Sequence, residues 1–226
     1  MLSAIEAAEG PAPMITVHHL GVSQSERVIW LCEELALPYT LRHYERDRAT
    51  RQAPASYRAL HPVGTAPIIT DDDLVLPESG AILMYLIAKY GEGRLAIGPD
   101  RPNFADYLFW LHFANATMMP SEMGGIALTY LGLKADHPVM AMRTERLARL
   151  HGLVENRLGT GPYFAGDEFT AADIMMVFSL STMRAFAPRD LSAFPHVRAY
   201  LTRIGERPAY QRAMNKGDPG MTPMLE

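Results

Sequence analysis

The sequence predicts a chain in two parts, an α/β domain followed by an all-helical domain, on three observations. Residues 14–93 alternate short β-rich runs with helix-period segments in the order β-α-β, a gap, then β-β-α. Residues 104–216 carry long apolar-periodic segments and no convincing strand. Between them RLAIGPDRPN, residues 94–103, is rich in glycine, proline and charge and reads as a linker. With 226 residues, 48% hydrophobic and 20% charged, the chain can fill one large core or two smaller ones, which argues against disorder and coiled coil.

Taken in order, residues 1–13 (MLSAIEAAEGPAP) hold two glutamates and no apolar h-region, and are expected to be a short disordered leader. Ile15-Thr16-Val17-His18-His19 reads as the first strand. Val28, Leu31, Cys32 and Leu35 stand at helical spacing on a helix over residues 26–35, which Pro38 closes. A second strand follows over 39–44. Two more, 68–70 and 74–76, flank Asp71-Asp72-Asp73, read as a hairpin turn, and a helix over 79–90 completes the domain. The second domain should contain helices over 104–119, 140–158, 171–186 and 194–207. Thr170 and Asp173 form a Thr-x-x-Asp capping box before the third of these. Residues 217–226, GDPGMTPMLE, lack periodicity and are expected to be a frayed tail.

Charge and cysteine usage narrow the function. The net charge is −4 and the sequence pI about 6.1. The basic cluster at 42–51 is broken by Glu45 and Asp47, so a nucleic-acid partner is not indicated. A single cysteine, Cys32, excludes an internal disulfide and a CxxC redox pair and fits a reducing compartment. It lies on an apolar helix stripe, as a buried small hydrophobe would. No uncharged apolar run is long enough to span a membrane, so a soluble, cytoplasmic protein without a membrane partner is expected. His18 and His19 are adjacent on a strand, point to opposite faces and cannot chelate one metal together, so they read as structural. The methionines at 118, 119 and 123 suit either an adaptable pocket or core filling.

Three motifs carry chemistry. In HPVGTAP, residues 61–67, Pro67 stands before the strand Ile68-Ile69-Thr70, where a proline signals a turn, a bulge or a cis bond. In PESGAI, residues 77–82, Ser79 falls at a helix start whose free N–H groups suit a carboxylate, while Glu78 can pair with an ammonium. Together they could receive an amino-acid zwitterion; taken alone, they are also an ordinary acidic helix start. In LGVSQSER, residues 20–27, Ser23 and Ser25 both stand at the entrance to the first helix, and the residues do not choose between them.

Over residues 14–213 the chain resembles the glutathione S-transferase family, most specifically in HPVGTAP and PESGAI at their mutual spacing. The resemblance implies a thioredoxin-like N-terminal domain, a cis Ala66-Pro67 bond, and an Ala66 backbone that pairs with the cysteinyl part of glutathione. Glu78 and Ser79 would hold the γ-glutamyl end. Such an enzyme needs the thiolate, since a free thiol ionises only near pH about 8.5. The serine-type classes place the stabilising hydroxyl four residues before an early-helix arginine, which from Arg27 lands on Ser23. Ser25 is then the helix N-cap. Thr65 stands where many members have lysine, so a cationic contact to glutathione is replaced at most by a hydroxyl.

The first helix of the second domain, with Trp110-Leu111-His112-Phe113, would wall the cleft, and His112, Asn115 and Met119 are expected to share its substrate face. The resemblance also implies a homodimer, glutathione as co-substrate, a small hydrophobic electrophile or peroxide as second substrate, and no metal. A glutathione-dependent peroxidase or disulfide reductase on the same site, or a non-catalytic interaction module of this fold, are the alternatives.

Overall fold

The computed structural model describes residues 15–226; the expected leader lies outside them. Strands β1 (Ile15–Leu20), β2 (Thr40–Tyr44), β3 (Ile68–Asp71) and β4 (Leu74–Pro77) form one sheet in the order β2-β1-β3-β4. β1 runs parallel to β2 and antiparallel to β3, and β3 and β4 form a hairpin. Asp71 pairs with Leu74 within that hairpin, so the turn is Asp72-Asp73, with Asp72 at φ 50°. Asp71, expected in the turn, is instead a buried strand residue. Its carboxylate accepts from Tyr85, Lys89 and Tyr90.

Helices α1 (Glu26–Leu35), α2 (Ala55–Arg58) and α3 (Ser79–Tyr90) complete this part. The expected linker holds no helix or strand, yet it is anchored: Ile97 is buried, and the Leu95 carbonyl accepts the Ala171 N–H at 2.8 Å.

The helical part comprises α4 (Phe104–Phe113), a π-turn (Ala114–Met118), α5 (Met119–Tyr130), α6 (Pro138–Thr160), α7 (Ala171–Leu180), a 3₁₀ turn (Thr182–Ala185), α8 (Pro195–Gly205) and α9 (Pro208–Gly217). Where sequence periodicity predicts one helix over 104–119, the structure runs on through a π-turn into α5. Sequence periodicity does not predict α2, α5 or α9. The capping box of α7 is formed: Asp173 Oδ2 accepts the Thr170 N–H at 2.8 Å, and the Thr170 hydroxyl accepts from the first turn. Asp173 Oδ1 also accepts the Phe164 N–H and the Tyr200 hydroxyl. Burial pushes the Asp173 carboxyl up to about 6 against these hydrogen bonds.

One apolar core joins the two parts, because α1 packs on α7 and α9. Trp30 of α1 sits between Phe169 and Tyr210, at ring separations of 5.4 and 4.9 Å. This packing carries the end of α9 back to the start of β1. The last ten residues, expected to be a frayed tail, make side-chain contacts with the body: Asp218 accepts the Val22 N–H, and Arg184 donates to the Met224 and Glu226 carbonyls. Cys32 is fully buried, and burial pushes its thiol up to about 12, so it packs as a hydrophobe.

Candidate active site

The Ala66-Pro67 bond is cis and lies where the loop before β3 meets the loop after β1. Around it Gln24, Thr65, Ala66, Pro67, Glu78, Ser79 and Asn115 line a small polar pocket of about 90 Å³. Pro67 is buried, Ala66 half-buried and Thr65 exposed at the rim. Ser79 is the first residue of α3 and is 1% exposed. Among the described residues no side chain caps this helix, so its first amides remain available to an anion. Glu78, exposed beside it, is held at φ 76°, a conformation that costs a non-glycine residue roughly 1–3 kcal/mol and that clusters at ligand sites.

Arg27, which served the sequence only as a landmark, ties this pocket together. Its fully buried guanidinium donates through Nη1 to Gln24 Oε1, to Asn115 Oδ1 at 2.8 Å and to Ser79 Oγ at 3.2 Å. It therefore joins the loop after β1, the start of α3 and the π-turn of the helical part. Among the described residues Nε and Nη2 are buried without a partner, and the guanidinium faces the Phe178 ring at 5.1 Å. Burial pushes Arg27 down to about 9, which still leaves it charged at neutral pH. Burial likewise pushes its neighbour Glu26 up to about 8, opposed by a hydrogen bond from the Thr182 hydroxyl at 2.8 Å.

The polar pocket adjoins a larger cavity of about 450 Å³, and Gln24, Thr65 and Ala66 line both. One wall of the cavity is polar, with Ser23, Gln52, Arg46 and Arg58. The other comes from the helical part: Met119, Met123, Phe178, Met183 and Phe186. Met118, by contrast, is fully buried in the core.

Ser23 and Ser25 are separated by this geometry. Ser23 lines the cavity and Ser25 does not. Ser25 sits one hydroxyl deeper, 0% exposed, with its Oγ 2.7 Å from Ser23 Oγ. Nor is Ser25 the capping side chain expected: its backbone is already helical, at φ −67° and ψ −17°, so its hydroxyl points back rather than forward. Ser25 Oγ accepts the Leu20 N–H at 3.3 Å and lies 2.8 Å from His19 Nδ1.

His112 does not join the site. It is exposed on α4 and borders neither space, whereas Asn115 lines the polar pocket and Met119 the cavity. The π-turn between His112 and Met119 breaks the 3.6-residue period on which a shared face was counted. Phe178, Met183 and Phe186 had no local signal beyond an apolar helix end. The two strand histidines point apart as expected, His18 to Tyr44 at 2.9 Å and His19 to Ser25.

A four-stranded mixed sheet with flanking helices, a cis-proline loop beside a helix start, and a following helical domain define a two-domain transferase architecture. Sequence profiles of the glutathione S-transferase N-terminal and C-terminal domains match residues 18–94 and 119–208. Glutathione S-transferase 3 of Schizosaccharomyces pombe is 34% identical over 223 residues, 90% of this chain and 88% of that protein. A glutathione S-transferase from Actinobacillus pleuropneumoniae superposes with a TM-score of 0.83 at 30% identity, over 92% of this chain and 95% of that one. A glutathione transferase homologue from Sulfitobacter, solved with bound glutathione, gives 0.71 at 26% identity, over 90% and 98%. The chain belongs to the glutathione S-transferase family and is an enzyme of that class. Among the described residues no helix is long and apolar enough to cross a membrane.

Proposed function

We propose that this enzyme lays glutathione along Ala66-Pro67, with its γ-glutamyl end on Glu78 and Ser79, and holds the sulfur as thiolate at Ser23 for attack on a hydrophobic electrophile. The observation that carries this reading is a junction. A polar pocket able to take a zwitterion opens into an apolar-walled cavity, and Ser23 stands on the wall of that cavity. A peptide placed there uses the free Ala66 backbone for strand-like pairing. Its ammonium meets Glu78 and its α-carboxylate meets the uncapped start of α3. Its far carboxylate then lies toward Arg58 and Arg46, so cations on this chain stand in for the lysine that Thr65 replaces.

At Ser23 the hydroxyl donates to the sulfur anion, a charge-assisted bond that lowers the thiol's pKa. The methionine and phenylalanine wall suits an apolar second substrate, and methionine's flexibility lets it adapt to several shapes. The active form is a symmetric homodimer in this reading. A substrate panel tests it: glutathione with aryl halides, hydroperoxides and mixed disulfides. Conjugation of aryl halides is expected. Turnover confined to hydroperoxides or disulfides would make the enzyme a glutathione peroxidase or reductase on the same site, and no turnover with any of the three would refute catalysis here.

A further inference from the structure

Behind Ser23 a line of polar groups runs into the protein and ends on the C-terminal segment. Ser23 Oγ lies 2.7 Å from Ser25 Oγ, Ser25 Oγ lies 2.8 Å from His19 Nδ1, and His19 Nε2 lies 3.2 Å from Asp218 Oδ2. His19 is 0% exposed, and its Nε2 and Asp218 Oδ2 face each other at ion-pair distance, neither making a hydrogen bond among the described residues. The other oxygen of Asp218 accepts the Val22 N–H at 3.0 Å. Val22 is a β-branched residue at φ 50°, a rare conformation, and it immediately precedes Ser23.

Helix capping does not explain Asp218. It follows the last residue of α9, where the helix dipole disfavours an anion. Gly217 leaves room for the approach: a Cβ there would meet the Ile29 side chain at 3.1 Å and the His19 ring at 3.4 Å. The other titratable or charged groups near the pair are His43 on β2, whose ring is 5.5 Å from that of His19, together with Arg46 and Glu26. Burial alone would raise the Asp218 carboxyl, but contact with His19 holds it below the usual carboxylate range, so it is an anion at neutral pH.

Hydrogen counting leaves this line two consistent arrangements. A carboxylate only accepts, so His19 Nε2 carries a hydrogen in both. A hydroxyl donates once and accepts twice. In the first arrangement Nδ1 is bare, Ser25 donates to it, and Ser23 donates to Ser25. Ser25 Oγ is then filled by the Leu20 N–H and the Ser23 hydroxyl. Ser23 Oγ accepts the Ser25 N–H at 3.3 Å and keeps one lone pair for the cavity. In the second, every hydrogen is reversed: Nδ1–H donates to Ser25, Ser25 to Ser23, and Ser23 donates outward. The first arrangement can accept a thiol hydrogen. The second can hold a thiolate.

We propose that His19, oriented by Asp218, takes up the glutathione thiol proton through Ser25 and Ser23. This rests on the reading above that the sulfur sits at Ser23. The thiol S–H bond breaks and its electron pair stays on sulfur as the proton passes to Ser23 Oγ. The Ser23 proton moves to Ser25 Oγ, and the Ser25 proton moves to His19 Nδ1. The products are a thiolate that accepts from Ser23 and an imidazolium paired with Asp218. His19, Ser25 and Asp218 are thus positioning and relay residues that act through Ser23, and the remote C-terminal segment takes part in activating the nucleophile.

Proton counting tests the relay on the whole protein. Thiolate is followed by ultraviolet absorbance in weak buffer with a pH indicator, at about pH 8, just below the free thiol's pKa of about 8.5. S-methylglutathione, which has no thiol hydrogen, supplies the baseline. The wild type should form thiolate while releasing well under one proton for each. His19→Gln, and the less buried Asp218→Asn should the first fail to fold, should shift ionisation of the bound thiol upward by about one pH unit or more. Each thiolate they do form should release a full proton, with glutathione affinity unchanged. Full release by the wild type, with unshifted ionisation in Asp218→Asn, would overturn the relay alone. No calorimetric binding of glutathione by the wild type would instead overturn the proposed function, and the relay with it.

Discussion

Replacing Ser25 by alanine should destabilise the protein by more than the loss of a helix cap. The Ser25 hydroxyl is fully buried and meets three groups: His19 Nδ1 at 2.8 Å, Ser23 Oγ at 2.7 Å and the Leu20 N–H at 3.3 Å. Of these, Ser23 faces the cavity and can turn to water. The fully buried His19 Nδ1 and the buried Leu20 amide cannot. A buried polar group left without a partner costs about 1–3 kcal/mol, so two together cost about 2–6 kcal/mol. A lost cap costs only about 0.5–2 kcal/mol. Urea unfolding followed by far-ultraviolet circular dichroism, at fixed protein concentration, measures the difference from the shift in midpoint. Ser23→Ala is the internal comparison. It leaves one buried donor, the Ser25 N–H 3.3 Å from the lost oxygen, without its acceptor and should cost about 1–3 kcal/mol, less than the two groups that Ser25→Ala strands. A loss for Ser25→Ala below about 1 kcal/mol, or no greater than that of Ser23→Ala, would refute the inference that its hydroxyl is structural to His19 and Leu20.

Ser23→Ala should act on turnover instead: losing a bond to an anion worth about 1.5–3 kcal/mol raises the bound thiol's pKa by about one to two units. Turnover near neutral pH should fall about tenfold or more with glutathione affinity little changed, and a pH–rate profile whose rising limb stays in place would exclude that role. Glu78→Ala should weaken glutathione binding measured by calorimetry, while kcat at saturating glutathione changes little because the contact is remote from the sulfur. Glu26→Gln addresses stability against pH. Glu26 titrates near about 8 in the folded protein and near about 4.3 when unfolded. Between those values the folded state holds more protons, so wild-type stability falls as pH rises, and the glutamine variant should lose that slope in melts taken across the window. Light scattering at micromolar concentration should give twice the 25.1 kDa chain mass; a monomer would contradict the dimer.

Much of the fold was legible because the signals are short-range. The bounds of α1 and α3 follow from apolar spacing and from Pro38 and Ser79, and the α7 capping box follows from two residues three apart. The polar pocket was legible too, in that Thr65, Ala66, Pro67, Glu78 and Ser79 come from two motifs whose loops the sheet brings together. Helix α5 was missed because Pro120 and the Gly124-Gly125 pair interrupt its pattern, although a proline in the first turn is tolerated. The expected cap at Ser25 failed because N-capping needs an extended backbone, and the loop after β1 turns helical before Ser25.

By itself the sequence determined an α/β domain followed by helices, a proline at the entrance to β3 and an acidic residue beside the start of α3, since each is written in neighbouring residues. Tertiary structure alone decided which serine faces the cavity, what the strand histidines touch, that Arg27 joins both domains, and that the C-terminal segment is seated beneath the active site. The Val22–Asp218 bond spans 196 residues, and no local period or turn preference encodes a contact of that range. It exists because α9 packs on α1 over Trp30 and Tyr210, and the apolar area buried there places a carboxylate on a histidine as a consequence of packing.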